Sequence, residues 1–236
     1  MKNLLNEKLI LALDSPNQEL NESLTNSLNK LINFYKIGLG TFAFGGEKLI
    51  GELKNNGKRV FLDLKLFDIG ATVEKSSRKF SSIGVDFLTV HGDPNVIDGA
   101  LNGRLGSSTK ILAVTFLTNL DRSDLDQALI KGGDLTELVV ERAQNAFLTG
   151  ADGVIASPLE APLIRKLPES KNKIIVTPGI RPSGTSQNDQ KRIATPQQAI
   201  KMGADYIVVG RPIWDAPNPI IATELILSDI KKAFNE

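Results

Sequence analysis

The residues Asp63, Lys65 and Asp68 lie in Phe61–Thr72, a run whose other members are mostly apolar. Charges in such a run need partners, because burying one alone is costly. Side chains alternate across a strand, so Asp63 and Lys65 share a face with Phe61 one step deeper. Asp68 falls past the expected strand end, and Gly70 loosens the backbone before a helix opened by Ala71 and Thr72. The stretch reads as strand, charged rim, turn, helix. An Asp-x-Lys pair alone fits a structural ion pair as well as an active centre, since both perturb acid–base groups.

Lys36 adds a second lysine, set in the short apolar run Phe34–Gly40. Its stem could carry the charge to the rim. Neighbouring strands are about 4.8 Å apart, close enough for Lys36 to meet Asp63 and form a cluster with Lys65. Asp14 ends the first apolar run and belongs either to a turn or to a strand-end site. His91 is the single histidine, expected as a hydrogen-bonded support. Thr118 could cap a segment or contact a ligand. Gly210-Arg211 pairs a residue that permits close backbone approach with a guanidinium fork suited to phosphate oxygens.

Composition narrows the chemistry further. The sequence has no cysteine and one histidine, which excludes disulfides, a thiolate nucleophile and a multi-histidine metal site. A formal net charge of +1 argues against general nucleic-acid binding. Glu7 and Lys8 interrupt any signal-like N-terminal segment, and no stretch reaches the roughly 20 apolar residues of a membrane span. The expectation is an unprocessed cytoplasmic protein without membrane or nucleic-acid partners.

The elements that must position these residues alternate. Short runs of strand character, Lys8–Leu13, Phe34–Gly40, Lys58–Lys65, Val85–Val90, Lys110–Phe116, Gly153–Ala156, Lys173–Val176 and Tyr206–Val209, are separated by helical patterns. Ser15 and Pro16 are the expected start of the first helix, and Pro158 of a later one. Ser123–Leu148 reads as helix broken near Gly132-Gly133. Ser183–Arg192 has no apolar periodicity and reads as a mobile loop. About eight strand–helix pairs in 236 residues predict a single-domain TIM (β/α)8 barrel over residues 1–236. No sequence-level repeat is evident. A doubly wound sheet is the structural alternative, but no Gly-x-Gly-x-x-Gly follows the first strand. In a TIM barrel the chemistry-bearing residues would gather at the carboxyl ends of the strands, with phosphate near the loops after strands seven and eight.

In order along the chain, LALD, YKIG, DLKLFDIGAT, VHG, FLT, TPGIRP, DQKRIATP and VVGRPI resemble the orotidine 5'-phosphate decarboxylase family. The resemblance covers nearly the whole sequence. It implies decarboxylation of orotidine 5'-monophosphate to UMP, in pyrimidine biosynthesis, by a homodimer with shared sites, no cofactor and no metal. It also implies a charged centre of Lys36, Asp63 and Lys65, with Asp68, Ile69 and Thr72 reaching into the neighbouring subunit's site. Asp14 would contact the nucleotide, Thr118 the pyrimidine, and Arg181, Gln190, Gly210 and Arg211 the phosphate end. Lys65, flanked by carboxylates that favour its ammonium form, would stabilise and protonate carbon 6. Phe67, where many members have a polar residue such as histidine, departs from the pattern outside the matched charges.

Two other readings share parts of this pattern. Magnesium-dependent 3-keto-gulonate-phosphate decarboxylases and hexulose-phosphate synthases carry a similar Asp-x-Lys-x-x-Asp, but place an acidic metal ligand where Lys36 would repel Mg²⁺. A noncatalytic nucleotide-binding barrel would keep Arg211 yet have no need for the Lys36, Asp63, Lys65, Asp68 array.

Overall fold

The computed structural model describes residues 6–183 and 192–234. Eight parallel strands close into a barrel in sequence order: β1 (Leu9–Ala12), β2 (Phe34–Gly38), β3 (Arg59–Leu66), β4 (Phe87–His91), β5 (Lys110–Val114), β6 (Gly153–Ile155), β7 (Ile174–Thr177) and β8 (Tyr206–Val209). The predicted TIM barrel is therefore the observed fold, and each strand overlaps its predicted run. Alternation along the strands separates two apolar layers. Ile10, Phe34, Phe61, Phe87, Leu112, Val176 and Val208 fill the barrel interior. Leu9, Leu11, Tyr35, Leu62, Leu88 and Ile175 face outward onto the helices.

Helix boundaries differ in instructive ways. The first helix, Gln18–Ser27, is capped by Asn17, whose side chain accepts from the Leu20 amide. Ser15 instead bonds within the preceding turn, to the Asn17 carbonyl. A short helix, Leu39–Ala43, precedes Gly46–Asn55 and leaves β2 directly. The helix placed at Pro158 begins later, at Ala161–Arg165, after a turn. The long region near Gly132-Gly133 is indeed broken, into Arg122–Gln127 and Leu135–Thr149.

The amino end of the barrel carries a short recurring unit that the sequence reading missed. Gly84, Gly150 and Gly203 have left-handed φ values of 82°, 108° and 102°, and each is followed two residues later by an aspartate: Asp86, Asp152 or Asp205. Each aspartate donates its own amide to a carbonyl of the preceding strand, at Val60, Ile111 and Ile175. Each carboxylate then accepts the amide of that same residue, at 2.8, 2.9 and 2.8 Å. Lys54, Arg104 and Arg165 pair with these carboxylates. The unit closes strand pairs at the second residue of β3, β5 and β7 and so holds the register on which the opposite rim depends. Between these pairs, Arg59 lies 4.0 Å over the Phe34 ring and bonds Glu7 at 3.1 Å.

Candidate active site

At the carboxyl ends of the strands, one cleft of about 550 Å³ is lined by Asp14, Lys36, Asp63, Lys65, Thr118, Gly179, Arg181, Gly210, Arg211 and Trp214, among others. Its floor is apolar: Ala12, Phe61, Val114, Ile155 and Val208 come from alternate inward positions of β1, β3, β5, β6 and β8. Such a floor excludes water and strengthens electrostatic interactions above it.

Four charged side chains form a line across one wall. Asp14 Oδ2 accepts from Lys36 Nζ at 2.7 Å, Lys36 Nζ lies 3.4 Å from Asp63 Oδ2, and Lys65 Nζ donates to Asp63 Oδ1 at 2.8 Å. Lys36 and Asp63 are buried, whereas the Lys65 side chain is 35% exposed toward the cleft. The pairing of β2 with β3 explains the geometry: Asp63 stands opposite Gly38, not Lys36, so Lys36 reaches across the space that Gly38 leaves empty. A Cβ at Gly38 would lie 2.7 Å from Asp14 Oδ1 and 3.0 Å from Lys36 Nζ. A side chain there would displace the ion pair, so the glycine in YKIG belongs to the site.

Burial by itself would disfavour both inner charges, yet their neighbours reverse it. For Lys36, desolvation pulls the pKa down, but Asp63 and then Asp14 hold it above the ordinary lysine value. For Asp63, desolvation pushes the pKa up, and Lys36 and Lys65 more than offset this to hold it below the ordinary aspartate value. Both groups are charged near neutral pH.

Lys65 departs from regular strand geometry. Its φ of 49° is left-handed, a conformation that costs a non-glycine residue about 1–3 kcal/mol. The β3–β4 pairing passes from Leu62↔Leu88 to Leu66↔Val90, a register shift that interrupts simple alternation around Asp63, Leu64 and Lys65. Thr89 of β4 fills the interruption: its hydroxyl accepts the Lys65 amide at 3.0 Å and donates to Asp63 Oδ1 at 2.9 Å. Thr89 is fully buried. It was read only as part of the fourth strand, although a hydroxyl at the inward position after Phe87 was a visible signal.

The opposite wall is built by the strand-seven and strand-eight ends. Gly179 is left-handed with φ 76°, Arg181 is buried, and Gly210 immediately precedes the short helix Arg211–Trp214. Trp214, the only tryptophan, was also missed, since it lies beyond the Gly-Arg-Pro motif. Arg192, the carboxyl-terminal end of the expected loop, pairs with buried Glu160 and donates to the carbonyls of Leu117 and Thr118. Gln190 and the rest of 184–191 lie outside the described residues.

The remaining predicted residues do not enter this cleft. Asp68 and Ile69 line a separate shallow depression with Phe67 and Asn95, and Thr72 is exposed. Asp68 Oδ1 accepts the Ile69 amide at 2.7 Å. His91 does not line the cleft either. Instead of the expected hydrogen-bonded support, its ring meets Phe67 at 4.7 Å between centroids. Burial, then Arg142, holds its pKa below the ordinary histidine value. Among the described residues, no group of three or more His, Cys, Asp or Glu side chains is arranged to hold a metal ion. No helix among them is long and apolar enough to cross a membrane.

Residues 7–226 match the model of the orotidine 5'-phosphate decarboxylase / HUMPS family. The chain belongs to that family. It is 56% identical over 225 residues to an orotidine 5'-phosphate decarboxylase from Jannaschia sp., covering 95% of this chain and 98% of the relative. A relative of the same name from Ruegeria pomeroyi is 55% identical over 228 residues, covering 96% and 95%. Among solved structures, orotidine 5'-phosphate decarboxylase from Lactobacillus acidophilus superposes with a TM-score of 0.78 at 35% identity, covering 94% of this chain and 98% of that one. An uncharacterized conserved protein from Geobacillus kaustophilus gives 0.80 at 29% identity, covering 94% and 99%.

Proposed function

We propose that this family member decarboxylates orotidine 5'-monophosphate to UMP, as the names of its relatives suggest, and does so without a cofactor. The observation that carries the reading is the line Asp14, Lys36, Asp63, Lys65, in which an ammonium closes the cleft end of an alternating array. Breaking the bond between carbon 6 and the carboxylate releases CO₂ and leaves the bonding pair on carbon 6. The Lys65 ammonium stabilises that pair and transfers a proton to it, which completes UMP. Fixed charge can serve this step because it requires no reorganisation as the carbanion develops. Arg181, Gly210 and Arg211 take the phosphate, Thr118 the pyrimidine edge, and Asp14 with Lys36 the ribose side. The paired carboxylate of Asp63 stands beside the leaving group.

The related magnesium-dependent chemistry fits this rim less well, because the Lys36 ammonium occupies the centre of the array between Asp14 and Asp63. Purified protein, orotidine 5'-monophosphate and EDTA should yield UMP at the rate seen without EDTA. Loss of turnover that Mg²⁺ restores would overturn the reading.

The second part of the proposal is a symmetric dimer in which Asp68, Ile69 and Thr72 complete the neighbouring subunit's site. Its support is their outward placement beside exposed Phe67, away from the cleft of their own barrel. A two-fold interface would make each such contact twice.

A further inference from the structure

Thr89 has a feature that ordinary packing does not require: it is bonded at once to the main chain of one charged residue and to the side chain of another. At the β3–β4 register shift, the Lys65 amide donates to the Thr89 hydroxyl oxygen, in place of a strand carbonyl. The hydroxyl has one hydrogen, and it goes to Asp63 Oδ1. That same oxygen accepts from Lys65 Nζ. Lys65 is thus tied at its amide and at its ammonium to a single Thr89–Asp63 unit, while its backbone is left-handed.

We propose that Thr89 is a positioning residue for the reaction, holding the bent backbone of β3 so that the Lys65 ammonium and the Asp63 carboxylate meet on the charged wall of the cleft. Thr89 touches no substrate in this account. It acts through Lys65 and Asp63, and the inference rests on the decarboxylase reading. A regular strand at Lys65 would send its stem along a different path. Misplacement by about 1 Å can cost about a hundredfold in rate.

The test compares Thr89→Val, which keeps the shape and removes the hydroxyl, with Thr89→Ser, which keeps the hydroxyl. Three quantities are read: kcat for orotidine 5'-monophosphate, UMP affinity from Trp214 fluorescence, and the titration of Asp63 followed by carboxylate NMR. The Val variant should lose about a hundredfold in kcat, with UMP affinity changed by less than about threefold. Its Asp63 should titrate at higher pH than in the unsubstituted protein, because a bond to the charged form is gone. The Ser variant should restore both kcat and titration.

A Val variant with unchanged kcat and titration would overturn the proposal. So would a Ser variant as impaired as Val, which would assign the effect to packing. A parallel loss of UMP affinity and kcat would also overturn it, as general damage to the site. If the Val protein lacks a cooperative thermal transition, Thr89→Ala takes its place in the same comparison. Should the unsubstituted protein fail to produce UMP, the decarboxylase reading fails, while the Asp63 titration still reports whether Thr89 positions the pair.

Discussion

Asp63 and Asp68 belong to one run of sequence, yet they live in different surroundings. Asp63 is buried and bonded to Lys36, Lys65 and Thr89. Asp68 lies past the strand, bonded through Oδ1 to the next amide and flanked by Phe67 and Ile69, which are 67% and 72% exposed. The inner half of the signature is organised within its own barrel. The outer half is held locally and lines a separate shallow depression, away from the cleft of its own barrel. On the proposed dimer, this single motif would serve two sites, one in each of two subunits.

The strongest way to break the comparison is at its inner end. On the proposed mechanism, Lys65→Ala should reduce kcat by about 10⁴-fold, since it would remove both proton donation and charge stabilisation. UMP affinity, read from Trp214 fluorescence, should change far less, because on that mechanism the ammonium would serve the reacting carbon. Near-normal turnover would show that the proton comes from elsewhere.

A smaller effect is expected at the outer end. Ile69→Asp places a charge in the exposed apolar segment and should weaken subunit association, so that specific activity falls on dilution at concentrations where the unsubstituted protein keeps its rate. Analytical ultracentrifugation on the same samples gives the check. An unchanged sedimentation profile together with undiminished activity on dilution would remove Ile69 from the interface.

The smallest effect is the response to pH. The raised Lys36 contributes stability that is full below its unfolded pKa and lost as pH rises through its folded value. The depressed Asp63 contributes stability that is full above its unfolded pKa and lost as pH falls through its folded value. Between those limits both stay charged, so their contribution to Tm should be flat from about pH 5 to about pH 9. A decline in kcat within that window that disappears in His91→Gln would instead assign it to His91, whose folded value is depressed.

Much of this was legible in the sequence because period and chemistry coincide. The apolar runs that contain Lys36 and Lys65, and the one that Asp14 follows, marked both the strands and the charges that line the cleft. What was not legible depends on register and on contacts distant in sequence. Nothing local shows that β3 shifts against β4 at Thr89, or that Lys65 takes a left-handed φ. Gly38 reads as an ordinary strand glycine until its facing position to Asp63 is known. Asn17 caps the helix two residues beyond Ser15, a choice between two good capping residues that composition does not rank. The recurring Gly-x-Asp unit is too short to stand out as a repeat, and becomes visible only through the amides it binds.

Complementation tests the two-subunit account most directly. Lys65→Ala and Asp68→Ala proteins, each expected to be inactive alone, are mixed under conditions where subunit exchange has been demonstrated with differently tagged chains. A heterodimer then carries both defects in one site and neither in the other. Random exchange of equal amounts should restore about a quarter of the unsubstituted activity, since half the dimers would each hold one intact site. Exchanged heterodimers no more active than their parents would place Asp68 in its own subunit's chemistry or fold, and would contradict the shared site.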